Sequence, residues 1–159
     1  MKKIIIGSDK SGFALKETIK AHLVETGYEI VDSGTTDVNV PKPYFEVASA
    51  VAKRVSEGEF EKAILICGTG MGMSIVANKY KGVYAAVCEN TYAAEKARAI
   101  NDANILTMGG WITAEFVGCT MVDTFLNTEF TQNLEDWRAK NLQNARIQVK
   151  NIEEQIYNK

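Results

Sequence analysis

The segment Ile64-Leu65-Ile66-Cys67-Gly68-Thr69-Gly70-Met71-Gly72-Met73-Ser74 constrains this chain most. An apolar run that reads as a buried strand ends in a cysteine. Glycines follow at alternate positions, and Ser74 to Lys79 is compatible with a short helix. Such glycines let the backbone approach a ligand closely and aim its N–H groups at an anion. Open α/β sheets hold their ligands at the carboxyl ends of strands, where this cysteine falls. A thiol and a ring of N–H donors therefore share one turn, which suits chemistry on a small anionic molecule. Taken alone, Cys67 reads more readily as a small buried residue at a strand end.

The rest of the chain repeats the strand-then-helix pattern. Strands are predicted over residues 3–8, 28–32, 62–67, 83–87 and 105–108. Helices are predicted over 11–25, 45–57, 91–100 and 113–126. Leu15, Ile19 and Leu23 share one face of the first helix, and Val47, Val51 and Val55 share one face of the second. Gly27 and Gly58 stop these two helices, and Asn90 or Thr91 caps a later one. Apolar strands alternating with amphipathic helices imply a parallel sheet covered on both faces. The predicted fold class is α/β: a three-layer α/β/α, Rossmann-like domain with a five-stranded parallel sheet. That domain is expected to span residues 1–127. Residues 128–159 form a helical arm, with Leu142, Ile147, Val149, Ile152 and Ile156 along it. The arm packs on a partner subunit or folds back on its own domain. Three segments should meet at one sheet edge: Gly7-Ser8-Asp9-Lys10, Cys67 to Gly72, and Cys88-Glu89-Asn90.

Composition removes several function classes. With 159 residues, 46% of them hydrophobic, the chain can build one full core. A net charge of −2 gives no electrostatic footprint for nucleic acid or an acidic membrane. No apolar stretch approaches the ~18 residues of a membrane span. The amino end carries no export signal pattern. Cys67, Cys88 and Cys119 are widely spaced, and the sole histidine, His22, is far from them all in sequence. Metal-ligand spacing is thus absent, and reduced thiols in a cytoplasmic protein are expected. The turn after the first strand lacks the G-x-G-x-x-G spacing of dinucleotide folds, and no phosphate-loop Gly-Lys-[Ser/Thr] follows the glycines.

Four stretches carry a family resemblance. They are Ile5-Ile6-Gly7-Ser8-Asp9 with Gly12-Phe13 and Leu15-Lys16; Val31-Asp32-Ser33-Gly34-Thr35; Ile64 to Lys79; and Asn101-Asp102-Ala103-Asn104-Ile105-Leu106 with Gly109. In these the chain resembles the sugar-phosphate isomerases of the type B ribose-5-phosphate isomerase and galactose-6-phosphate isomerase group. The likeness runs through roughly the first 110 residues and fades from Thr128 onward. It implies aldose–ketose isomerisation of a sugar phosphate through an enediolate, without a cofactor. Cys67 matches the general base of the cysteine-using branch. A second branch places a glutamate where this chain has Met73, which takes no proton. Thr69 and Asn101 match residues that handle the substrate oxygens, with the amides of Gly68, Gly70, Met71 and Gly72. Asp9 matches a sugar contact. The family also implies a homodimer or homotetramer with shared sites. The inferred chemistry is coherent, because a carbon acid beside a carbonyl needs a base and a donor-rich pocket for the growing oxyanion.

The departures matter as much. Where the family commonly has histidine, this chain has Lys10 and Ile100, and the second histidine is the usual ring opener. Trp111 stands where arginine is frequent. Of the family's arginine pair four residues apart, Arg146 matches one member and Leu142 occupies the other place. Arg138 or Lys10 is the available substitute for anion binding. Three readings fit: an isomerase of a short or open-chain sugar that needs no ring opening; the cysteine-bearing subunit of a two-subunit galactose-6-phosphate isomerase, completed by a paralogous subunit; and a non-catalytic sugar-phosphate-binding protein. The bland readings stay open beside them. Asp9 and Asn101 double as helix caps, Arg138 and Arg146 as surface ion-pair partners, and Lys10 as a surface charge.

Overall fold

The computed structural model describes residues 2–158, so Met1 and Lys159, the outermost residues of the expected domain and arm, lie outside it. Five strands are laid down in chain order: β1 (Lys2–Ser8), β2 (Tyr28–Asp32), β3 (Ala63–Cys67), β4 (Ala85–Val87) and β5 (Ile105–Gly109). The helices are α1 (Phe13–Glu25), α2 (Tyr44–Ser56), α3 (Met71–Ala77), α4 (Thr91–Ala99), α5 (Glu115–Asn127) and α6 (Asp136–Tyr157). All pairings are parallel, in the order β2-β1-β3-β5-β4. The expected three-layer α/β/α architecture is what forms.

The alternation of side chains across the sheet divides the core in two. Ile4, Ile6, Ile64, Ile66, Leu106 and Met108 face α1, α4 and α5, where Leu15, Ile19, Met121 and Phe125 meet them. Ile5, Leu65, Cys67 and Ile105 face the other way, against Val47 and Val51 of α2 and Met73 of α3. Each fully buried aliphatic side chain here contributes about 1.5–3 kcal/mol relative to exposure.

Element boundaries differ from the periodicity in ways with local causes. Helix α1 starts at Phe13, because Asp9 Oδ1 accepts the Gly12 N–H at 3.0 Å and holds the preceding residues as a turn. Strand β4 starts at Ala85, because the Tyr84 N–H is taken by Asn104 Oδ1 at 2.8 Å. The Asn78 side chain then binds both the N–H and the carbonyl of Ala85, each at 2.8 Å, covering an edge that would otherwise be open. Helix α6 starts at Asp136, after Thr131 and Asn133 adopt positive φ values of 64° and 56°.

A buried ion pair joins two of the segments that carried the resemblance. The Lys16 side chain on α1 is fully buried; its ammonium donates to the Asp32 carboxylate and, at 2.6 Å, to the Thr35 carbonyl. Lys20 reaches the same carboxylate at 2.7 Å. Burial pushes the Asp32 carboxyl up, but these hydrogen bonds and that of the Gly34 N–H outweigh it and hold it below its usual range.

The arm folds back along its own domain through polar side-chain tips. Glu153 accepts from the Gly82 N–H at 2.7 Å and from the Tyr84 hydroxyl at 3.1 Å. Burial first, and then this carboxylate, push the Tyr84 phenol up to about 12. Arg146 pairs with Asp102 at 2.6 Å and lies over the Phe130 ring. No residue of α6 is buried, and Trp137, Ile147, Ile152 and Ile156 remain exposed.

Candidate functional site

Strand β1 has β2 on one side and β3 on the other, so the chain reverses its direction of travel across the sheet there. Ligands of open α/β sheets bind in the crevice outside the carboxyl ends at such a reversal. Asp9 follows β1 and Cys67 ends β3, and the Asp9 N–H donates to the Ile66 carbonyl at 3.3 Å. The two residues thus flank one crevice.

The Cys67 side chain is only 6% exposed and points to the α2–α3 side. The Gly70 N–H donates to its Sγ at 3.1 Å, which fixes where the sulfur sits. Gly70 holds φ 77°, and a Cβ there would lie 2.7 Å from the Met108 backbone, so both conformation and space call for glycine. Thr69 is half-buried and its Oγ1 accepts the Met71 N–H at 3.4 Å. The turn is docked on the end of β5: Gly110 donates to the Cys67 carbonyl at 2.8 Å and Trp111 to the Gly68 carbonyl at 3.0 Å. Lys10 stands exposed just beyond Asp9.

Cys67, Thr69, Gly68, Gly70, Met71, Gly72, Asp9 and Lys10 therefore share the carboxyl edge of the sheet. Asn101 does not join them within one chain. It precedes β5, whose residues run in register with β3 from Ala63–Ile105 to Cys67–Gly109. A strand of that length spans about 13 Å, so Asn101 and Cys67 lie at opposite edges. Asn101 instead shares a small cavity with Ile100, Tyr84, Leu142, Arg146 and Val149. The two apolar departures, Ile100 and Leu142, are thus neighbours, and neither offers a group that exchanges protons. Arg138, Leu142 and Arg146 recur every four residues on α6 and share one helix face. Arg138 is exposed.

The bland readings hold at several positions. Asp9 caps the turn into α1. For Asn101 the bland reading fails, because helix α4 is capped by Ile100 and not by Asn101. Arg146 forms a surface ion pair. His22 tethers α1 to α5 through Asp123 at 2.7 Å, far from Cys67. Cys88 also lies beyond a strand end, but it faces the other layer, and burial pushes its thiol up to about 11. A hollow of about 680 Å³ is lined by Lys62, Lys81, Arg98, Asp102, Asn104 and Glu153 at the amino ends of the strands. Its charges are largely paired with one another, and it lies away from the cysteine turn.

Sequence reasoning missed Tyr44, whose ring lies over Gly72. No local signal marks it, since an aromatic residue after Pro43 reads only as a helix start. No helix among the described residues is long and apolar enough to cross a membrane.

Comparison with known proteins agrees with this geometry. A family model described as Ribose/Galactose Isomerase matches residues 4–142. A 4-deoxy-4-sulfo-D-erythrose isomerase of Clostridium sp. (strain MSTE9) is 64% identical over 157 residues, covering 99% of each chain. Ribose-5-phosphate isomerase B of Escherichia coli (strain K12) is 44% identical over 131 residues, 82% of this chain and 87% of that one. Among solved structures, Clostridium thermocellum ribose-5-phosphate isomerase B superposes with a TM-score of 0.87 at 39% identity, covering 97% of this chain and 99% of the other. With the cysteine turn at the sheet reversal and these matches along nearly its whole length, the chain belongs to the ribose/galactose isomerase family.

Proposed function

We propose that this chain interconverts the aldose and ketose forms of a four-carbon sugar carrying a tetrahedral anion at C4, with Cys67 as the base. The single observation that carries the reading is the Cys67 Sγ, held by the Gly70 N–H at 3.1 Å inside a glycine turn at the sheet reversal. The thiolate takes the C2 proton, electrons move into the C1 carbonyl, and an enediolate forms. The proton returns at C1 while the O2 hydroxyl proton passes to O1, so no external oxidant or reductant enters. The turn amides and Thr69 stabilise the oxyanion as charge develops.

The substrate class follows from chemistry at position 100. A tetrose closes a five-membered ring only through a free hydroxyl on C4. A sulfonate or phosphate ester at C4 removes that hydroxyl, so the substrate stays open and needs no ring opener. Ile100 in the usual histidine place then costs nothing. The extensive likeness to a 4-deoxy-4-sulfo-D-erythrose isomerase favours the sulfonate.

The site is completed by a second copy of the chain. Its Asn101, with Arg138 and Arg146 on the adjoining helix, faces the Cys67 turn across the interface. The exposed apolar residues of α6 supply a contact surface for such a pair.

The test is turnover of the purified chain on a panel of four-, five- and six-carbon sugars with terminal sulfonate or phosphate. Fastest turnover of a C4-substituted tetrose is expected, with Cys67→Ala reducing kcat by about 10²–10⁴. A preference for ribose 5-phosphate would contradict the substrate class. Silence across the panel would shift the assignment to a two-subunit enzyme awaiting its paralogue, or to a binding protein.

A further inference from the structure

The glycine turn is flanked by two aromatic rings, and neither is needed to hold the fold's core. A Cβ on Gly68 would lie 2.7–2.8 Å from three carbons of the Trp111 indole. A Cβ on Gly72 would lie 2.7 Å from the Tyr44 ring. Each ring therefore lies flat against one end of the donor-bearing turn. The Trp111 main chain is fixed to the same place by its N–H bond to the Gly68 carbonyl at 3.0 Å. Tyr44 is braced edge-on by Phe45, with ring centroids 5.6 Å apart. Yet Trp111 is 74% exposed and Tyr44 40% exposed. One face of each ring is committed to the turn that follows Cys67, and much of the remainder is left open.

From this geometry we propose that Trp111 and Tyr44 are the specificity-determining walls of the site, which limit it to a short, uncyclised carbon chain with a compact anionic head. The inference rests on the isomerase reading given above. The polar floor between the walls is the turn from Gly68 to Gly72, in which the Gly70 N–H is taken by Cys67 Sγ and the Met71 N–H by Thr69 Oγ1, and whose other amides suit an anion or an oxyanion. The walls themselves are apolar carbon surface. A longer sugar must bring an additional hydroxymethylene group against an indole or phenol face, where its hydroxyl loses water and gains no equal partner. A tetrose with its terminal anion directly on C4 has no such group to place. Both glycines follow from the same arrangement, since any side chain at position 68 or 72 displaces a wall.

The test is the ratio of kcat/KM for a C4-substituted tetrose to that for ribose 5-phosphate. Trp111→Ala and Tyr44→Ala are each expected to lower this ratio at least tenfold, chiefly through KM, and Trp111→Phe to restore most of it. A ratio unchanged within twofold in a folded alanine variant overturns the proposal, because loosening the turn alone slows both substrates alike. A second measurement needs no wall to be removed. Trp137→Phe leaves Trp111 as the sole indole, since the chain has two tryptophans. Saturating tetrose 4-phosphate is expected to shift its emission to shorter wavelength; emission that does not change with bound ligand also overturns the proposal. If the parent chain turns over no tetrose, the activity reading falls separately, and the emission response to bound tetrose 4-phosphate still decides whether the indole lines the site.

Discussion

Replacing Lys16 by methionine removes the charge that links α1 to the loop after β2. The Lys16 side chain is fully buried and Asp32 is 12% exposed, so the pair lies where water screens little. Methionine fills a similar volume but leaves the Thr35 carbonyl without its donor and Asp32 with only Lys20 and the Gly34 N–H. Breaking a buried pair from one side costs about 3–5 kcal/mol. The retained Lys20 places the expected loss at the low end, about 3 kcal/mol. For a domain of this size that lowers Tm by roughly 6–12 °C. The loop in question hydrogen-bonds β1, with Ser33 N–H on the Ile6 carbonyl at 2.9 Å and Thr35 N–H on the Ser8 carbonyl at 2.7 Å. Loosening it therefore reaches the turn that holds Asp9. Urea unfolding at one fixed protein concentration measures the effect. The difference from the parent should also shrink in acid. Asp32 titrates below its ordinary value of 3.8 in the folded chain, so its contribution is complete above 3.8 and disappears as pH falls through the folded value. A loss under about 1 kcal/mol at neutral pH, or a difference that persists undiminished well below pH 3.8, would refute the argument.

Other perturbations follow from the same geometry. Gly70→Ala forces a left-handed residue to carry a Cβ 2.7 Å from the Met108 backbone; a loss of about 1–3 kcal/mol and of nearly all turnover is expected, read by urea unfolding and by initial rates. Cys88→Ser should retain parental turnover, because its sulfur faces the opposite layer from Cys67. Since burial pushes the Cys88 thiol up to about 11, iodoacetamide at pH 8 should leave it unlabelled in the native protein, as peptide mass spectrometry would show.

Much of the fold was legible because each sheet segment announces itself locally. Ile4, Ile5 and Ile6, or Ile64, Leu65 and Ile66, are apolar on both faces, and only a strand between two helical layers buries both. The place of Cys67 at a strand end was legible for the same reason. What stayed hidden depends on contacts between distant segments. Nothing in the sequence indicates that β5 inserts between β3 and β4, and that insertion belongs to the whole sheet. The separation of Asn101 from Cys67 follows from strand direction once the parallel order is known, yet motif reading had grouped them. The burial of Lys16 makes sense only once Asp32 is brought beside it, and Tyr44 gains meaning only when Gly72 lies beneath its ring.

Solvent exchange at C2 isolates the proton transfer assigned to Cys67. A C4-sulfonated tetrose is incubated in D₂O with the parent chain or with Cys67→Ala, and deuterium at C1 of the ketose and C2 of the recovered aldose is followed by NMR. Deuterium entering with the parent, and none above background with a Cys67→Ala protein that still binds the substrate, is the predicted result. Exchange by Cys67→Ala at the parental rate would contradict a cysteine base and require another residue of the turn to carry the proton.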